Sequence, residues 1–285
     1  MPIMFPKRKR TPKPRHIRTI EAMLVLVMTL LTVRLFLPSP QPTSVPVVIE
    51  AQTTHSTALI DASYQAAQDY IDSENYAKAA VLLDAITTES DHYDAHVSYS
   101  FVLYQLGAYD HAITIASDAI IINPNKPAAL SNRCLLLGLV GNPHAGLADC
   151  NQAVQVDPQY AYGHNNQCYI LSELGHLQEA ERACNQALMT HHRQPEWVYT
   201  NLGHIALKRG FNDSAIDMFT TALTYNPMHA DAYAGLGDVL LIQSDFRNAL
   251  ESYRAYQYYA GVHYDASYDA KFDYALHALT YAGQN

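Results

Sequence analysis

Asn132-Arg133-Cys134 recurs as Asn166-Gln167-Cys168 and again as Asn201-Leu202-Gly203, while Cys150-Asn151-Gln152-Ala153 recurs as Cys184-Asn185-Gln186-Ala187. The step between copies is about 34 residues, and a fixed period of this size marks stacked copies of one supersecondary unit. A stacked array grows linearly, so the 285 residues need not be divided into globular domains by length. No single unit can bury its own apolar face, which makes each copy depend on its neighbours.

Extending the frame in both directions gives six units. The first, 60–93, carries Ala67, Tyr70, Tyr76 and Ala79, and the second, 93–126, carries Gly107, Tyr109, Ala112, Ala119 and Pro124. The third, 127–160, has Cys134, Gly141, Ala153 and Pro158, with Pro143 and Gly146 where an aromatic and an alanine are usual. The fourth, 161–194, has Cys168, Gly175, Ala180 and Ala187. The fifth, 196–229, has Gly203, Gly210, Ala215, Phe219, Ala222 and Pro227, and the sixth, 230–263, has Gly237, Phe246, Ala249 and Tyr253. Over 56–263 this pattern resembles the tetratricopeptide repeat family. The resemblance implies an all-α, right-handed solenoid of helix–turn–helix repeats, in which small residues let antiparallel helices approach and large ones fill the gaps. Residues 264–285 would supply a capping helix, with Tyr268, Phe272, Ala275, Leu276 and Leu279 at helical spacing.

The charge is unevenly distributed. Lys7, Arg8, Lys9, Arg10, Lys13, Arg15 and Arg18 crowd the first 18 residues, yet from residue 51 onward ten basic residues face 25 acidic ones. So acidic a body repels a phosphate backbone, which argues against nucleic acid as a partner. Residues 1–18 read as a basic cytoplasmic tail and 19–37, apolar until Arg34, as a transmembrane signal anchor. A removed signal peptide is the second reading of that segment and a buried helix the third. The anchor would attach the chain to the cell membrane by a single pass, with the N-terminus cytoplasmic and the repeats extracytoplasmic. Pro38, Pro40, Pro42 and Pro46 give 38–55 the composition of an extended linker.

In the family frame, Cys134 and Cys150, and likewise Cys168 and Cys184, occupy facing positions of one helix pair. Other units place small and large residues there, as in Gly203 with Phe219, Gly237 with Tyr253 and Ala67 with Leu83. Close approach at that contact suits two disulfides, Cys134–Cys150 and Cys168–Cys184. Four buried thiols are the alternative, and metal or redox chemistry lacks the CxxC spacing it would need.

The resemblance also implies a ligand surface, since the first helix of each unit lines the concave face. Asn132, Asn166 and Asn201 then form a ladder of amides that could pair with the backbone of an extended peptide. Tyr162, Asn165, Tyr169, Trp197 and His204 stand near it as anchors. The same asparagines could instead bond only within the fold. No GxSxG, HExxH, phosphate loop or calcium loop is present, and His191-His192 reads as a solvated turn. The sequence therefore points to a non-catalytic, protein-binding scaffold without cofactor or metal. The other reading is a structural subunit of a cell-envelope complex docked by its convex face or cap helix, and a thiol-dependent carrier or enzyme is more remote.

Overall fold

The computed structural model describes the backbone of residues 47–282 and the side chains of 57–281. The chain divides into two units, Met1–Thr54 and His55–Asn285, and the second is the repeat array. The described residues form thirteen α-helices and one 3₁₀ turn. In chain order the helices are α1 (Val47–Asp72), α2 (Tyr76–Glu89), α3 (Tyr93–Gln105), α4 (Tyr109–Ile122), α5 (Pro127–Leu139), α6 (Pro143–Val156) and α7 (Ala161–Glu173). They continue as α8 (Leu177–Met189), α9 (Pro195–Lys208), α10 (Asn212–Tyr225), α11 (Ala230–Ile242), α12 (Phe246–Tyr259) and α13 (Ser267–Ala282), with the 3₁₀ turn Gly261–His263 before α13. Six antiparallel pairs, α1/α2 to α11/α12, are followed by the cap α13.

Local chemistry explains the regularity. Each first helix ends where one residue adopts a left-handed conformation: Gly107, Gly141, Gly175 and Gly210 in four repeats, Glu74 and Ser244 in the outer two. The next residue closes the end by donating its N–H back into the helix, as Ala108 does to Leu103, Asn142 to Leu137 and Asp245 to Leu240. Second helices end differently. Asn123, Asp157 and Asn226 each precede a proline, and each side-chain oxygen accepts the N–H two residues on, so the turn into the next repeat is an Asx turn.

Small residues set the approach of the paired helices. Ala79, Ala112, Ala180, Ala215 and Ala249 are fully buried at one register of the second helix. Gly146 holds that register in the third repeat, where an added Cβ would lie 2.7 Å from the Cys134 carbonyl oxygen. Pro143 stands in the first turn of α6, where its missing N–H costs nothing. Both residues therefore fit their places, although by composition alone they look like interruptions. Between the second and sixth repeats, consecutive first helices touch one another more than consecutive second helices do. That asymmetry puts α3, α5, α7, α9 and α11 on the inner side of the curve.

Two expectations need correction. No helix among the described residues is long and apolar enough to cross a membrane. The expected span, 19–37, lies outside the described residues, as does the basic tail 1–18. The single-pass anchor, the membrane as a partner and the extracytoplasmic placement of the repeats rested on the apolar run and its basic flank, and all three are withdrawn. The fold is the repeat array and its cap. In addition, α1 begins at Val47, inside the stretch expected to be extended.

Candidate functional site

The inner face begins with the asparagine ladder. Asn132 Nδ2 donates to the Val97 carbonyl at 3.2 Å and to Ser100 Oγ at 2.8 Å. Asn166 Nδ2 donates to Ser131 O and Oγ, both at 3.0 Å, and Asn201 Nδ2 donates to Asn165 Oδ1 at 3.0 Å. Every rung thus spends its donor on the first helix of the preceding repeat. The three amides form a seam between repeats, each bond contributing about 1 kcal/mol net. Lys208 extends the same seam, donating to the Ser172 carbonyl at 3.0 Å and to Glu173 at 2.8 Å. Asn165 and Asn166 are buried, whereas Asn132 and Asn201 are half-buried.

The aromatic anchors are also engaged. The Tyr162 ring lies 4.4 Å from the ring of His192, and Trp197 lies 4.4 Å from His229. Each histidine comes from the loop that enters the next repeat, and Tyr64 with His92 repeats the arrangement at the first junction. His192 accepts the Gln194 N–H at Nδ1, leaving Nε2 enclosed without a protein partner, as is Nε2 of His229. Burial lowers both imidazoles to about 4, so they are neutral near pH 7 and pack as rings. The solvated reading of the His191-His192 pair therefore fails at His192: His191 takes a left-handed conformation and turns the loop, and His192 points inward.

Tyr169 and His204 sit deeper in the concavity. Burial, then Glu173 and Asp231, push the Tyr169 phenol up to about 12, and burial lowers His204 to about 4. Asp231, on the first turn of α11, is exposed at its surface, and the surrounding protein raises its carboxyl above the usual range by desolvation. Beyond it, Asp238 accepts from Tyr253 Oη at 2.8 Å and from Lys271 Nζ at 2.8 Å, which ties the cap to the sixth repeat.

Each cysteine is bonded within its own repeat: Cys134 to Cys150 and Cys168 to Cys184, with Cα separations of 5.4 and 5.2 Å. These lie inside the ordinary range for a disulfide. Beside the first bond, Arg133 grips Asp149 with two bonds of 2.7 and 2.8 Å and reaches Ser117 at 3.1 Å. The ion pair lies within repeat three and the Ser117 bond ties it to repeat two; neither was foreseen from the sequence. The periodic Asn-x-Cys phrase contains Arg133, but the phrase alone does not give its partner. Among the described residues, no group of three or more His, Cys, Asp or Glu could hold a metal ion.

A tetratricopeptide repeat family profile matches residues 64–127 and 200–262. No curated protein matches the chain. Among solved structures, the chain is similar to the type IV pilus biogenesis factor PilW, at 17% identity and a TM-score of 0.58 over 76% of this chain and 98% of that one. It is also similar to TTC0263, a tetratricopeptide repeat protein of Thermus thermophilus, at 20% identity and a TM-score of 0.55 over 64% of this chain and 99% of that one. The Cut9-Hcn1 assembly gives a TM-score of 0.65 at 15% identity, over 76% of this chain but only 43% of that one. At such identities the likeness is one of fold. A fold of this kind offers extended surfaces to other proteins. In two stretches of its sequence, and across its array of helix pairs, it is similar to tetratricopeptide repeat proteins.

Proposed function

We propose that the chain is a structural subunit, docked on its partner through the outer face of the second helices and the cap rather than by clamping a peptide along the inner face. The observation that carries this reading is the commitment of the inner face. The three asparagine donors are spent between repeats, and Tyr162 and Trp197 are covered by histidines of the next repeat. The outer side, by contrast, presents exposed apolar groups: Ile121 on α4 and Tyr258 on α12 are 80% and 82% exposed. Tyr274 and Tyr281 on the cap are also well exposed.

A second reading keeps the partner on the inner face. Only the donors of the ladder are used, which leaves the Asn132 and Asn201 oxygens, with Asp231, as acceptors. Such a row suits a donor-rich, basic segment. The two readings separate in one experiment. Full-length protein carrying Ile121→Asp with Tyr258→Asp is compared with protein carrying Phe101→Asp, an inner-face change, after circular dichroism shows both folded. Loss of the co-purifying partner only in the outer variant supports structural docking. Loss only in the inner variant overturns it in favour of the inner face.

A further inference from the structure

Among the described residues, the buried side-chain nitrogen and oxygen atoms without a hydrogen-bond partner are Nε2 of His192, His229 and His263. Buried polar atoms are as a rule paired, so three enclosed imidazoles call for a reason. His263 is half-buried. Its ring stacks on Tyr104 with centroids 5.0 Å apart, and its Nδ1 lies 2.9 Å from Tyr109 Oη, across four repeats of chain. His192 and His229 are 7% and 4% exposed, and each stands where one repeat leads into the next.

The two junctions are built alike. His192 donates its backbone N–H to the Ala187 carbonyl at 3.2 Å and lays its ring against Tyr162. Its Nδ1 accepts the Gln194 N–H at 3.1 Å, so the neutral ring carries its proton on Nε2. A second proton can go only to Nδ1, where it would face another donor. His229 stands at the N-cap of α11, donates its backbone N–H to the Asn226 carbonyl at 3.1 Å and meets Trp197 edge-on. The charged and titratable groups around the two rings are Tyr162 of α7, Arg193 of the loop, Glu196 and His204 of α9 and Asp231 of α11. None forms an ion pair with either ring, and His204 opposes a charge on His229.

The first junction supplies a contrast. His92 stands at the N-cap of α3 with its ring 4.8 Å from Tyr64, yet it is partly open to solvent and its Nε2 lies 3.9 Å from an Asp61 oxygen. A proton on His92 meets water and a carboxylate. One on His192 or His229 meets an enclosed site with no paired carboxylate.

We propose that the junctions entering repeats five and six are acid-opened hinges, at which protonation drives His192 and His229 from their seats and frees the last two repeats and the cap to move against the first four. The disulfides lie within repeats three and four, so they leave both hinges unrestrained, and the proposal does not depend on which face the partner uses. Burial holds both imidazoles at about 4 in the closed form, against about 6.5 for a free histidine. The closed form is therefore fully favoured above pH 6.5 and loses about tenfold per pH unit at each junction as the pH falls towards 4. At pH 5 the open-to-closed ratio of each hinge is about thirtyfold higher than at pH 7.5.

The test uses the full chain without reductant, so the native cysteines stay bonded and introduced thiols can be labelled. Nitroxides at Gln152→Cys and Glu251→Cys span both hinges, and a pair at Val81→Cys and Gln152→Cys lies before them. Between pH 7.5 and 5.0 the distance distribution of the spanning pair is expected to broaden, while the reference pair and the far-ultraviolet circular dichroism stay unchanged. Trp197 is the chain's single tryptophan, so its fluorescence reports the His229 seat and should titrate between pH 6.5 and 4. His229→Phe keeps a ring and takes no proton, and should remove that titration; His192→Phe with His229→Phe should also abolish the broadening. A spanning pair that does not change overturns the proposal. So does equal broadening of the reference pair, which would mean that acid loosens the whole array, or broadening that persists in the double variant. Should the double variant fail to fold at pH 7.5, the two label pairs in the parent decide the matter alone.

Discussion

Repeats three and four meet the same packing problem as repeats five and six and solve it differently. At the closest approach of each helix pair, the middle repeats place two bonded cysteines. The later repeats set a glycine against an aromatic ring: a Cβ added at Gly203 would lie 2.6 Å from Phe219, and one at Gly237 would lie 2.5 Å from Tyr253. Phe219 is also wedged against Gly235 of the next repeat, where an added Cβ would come within 2.3 Å of the ring. The disulfide braces one repeat from within, while the ring fills its own repeat and the junction beyond it. A covalent solution makes stability depend on redox conditions, whereas a packed solution makes it depend on volume.

The largest expected effect is on the packed side. Phe219→Ala empties a fully buried site shared by two repeats and should cost about 3–5 kcal/mol, read by urea unfolding. Gly235→Ala overfills the same site and should cost about 1–3 kcal/mol. If Phe219→Ala costs no more than a surface change, the ring does not join the two repeats.

Reduction is the matching test of the covalent side. Each disulfide closes a loop of about 15 residues and contributes about 3 kcal/mol in the chain-entropy model. Reductant should therefore lower the melting temperature, and hydrogen exchange should locate the loosening in repeats three and four rather than five and six. Replacing Cys134 and Cys150 by Ala and Leu, in imitation of Ala67 with Leu83, should remove the redox response of the third repeat and retain its fold. Uniform loosening along the array would show that the braces act on the whole solenoid.

Acid distinguishes the junctions from both. His192 and His229 are held near a pKa of about 4 in the folded chain by burial, against about 6.5 when unfolded. Between these values the unfolded state takes up protons that the folded state refuses, so their contribution is complete above pH 6.5 and is lost as the pH falls towards 4. The melting temperature should fall over that window, and His192→Phe with His229→Phe should flatten the slope. An unchanged slope would mean that other groups govern acid sensitivity.

The smallest effect concerns the outer repeats. Glu74 and Ser244 hold the left-handed position that glycine fills in the four repeats between them. Glu74→Gly and Ser244→Gly should each stabilise by up to about 1 kcal/mol, visible as a rise of a few degrees in differential scanning calorimetry.

Much of the fold was legible in the sequence because its contacts repeat. The partners Cys134 and Cys150 face each other within one helix pair, and Gly107, Gly141 and Gly175 mark the ends of successive first helices. The asparagine ladder was legible as a pattern, but its role was not. An amide at that position can face a ligand or the preceding helix, and only the positions of Val97, Ser100, Ser131 and Asn165 decide that its donors face the helix. The apolar run at 19–37 misled in another way: its composition suggested an anchor that no helix among the described residues provides.

By itself, the sequence determined the period, the helix pairs, the turns that end them and the facing of the cysteines, since all of these are local or recur at one fixed spacing. Tertiary structure alone decided that His192 and His229 would cover the aromatic anchors, that Arg133 would find Asp149 and that His263 would reach Tyr104 and Tyr109. The last contact has no periodic counterpart. It depends on the small rotation between neighbouring repeats accumulating over four of them, and no single repeat encodes that sum.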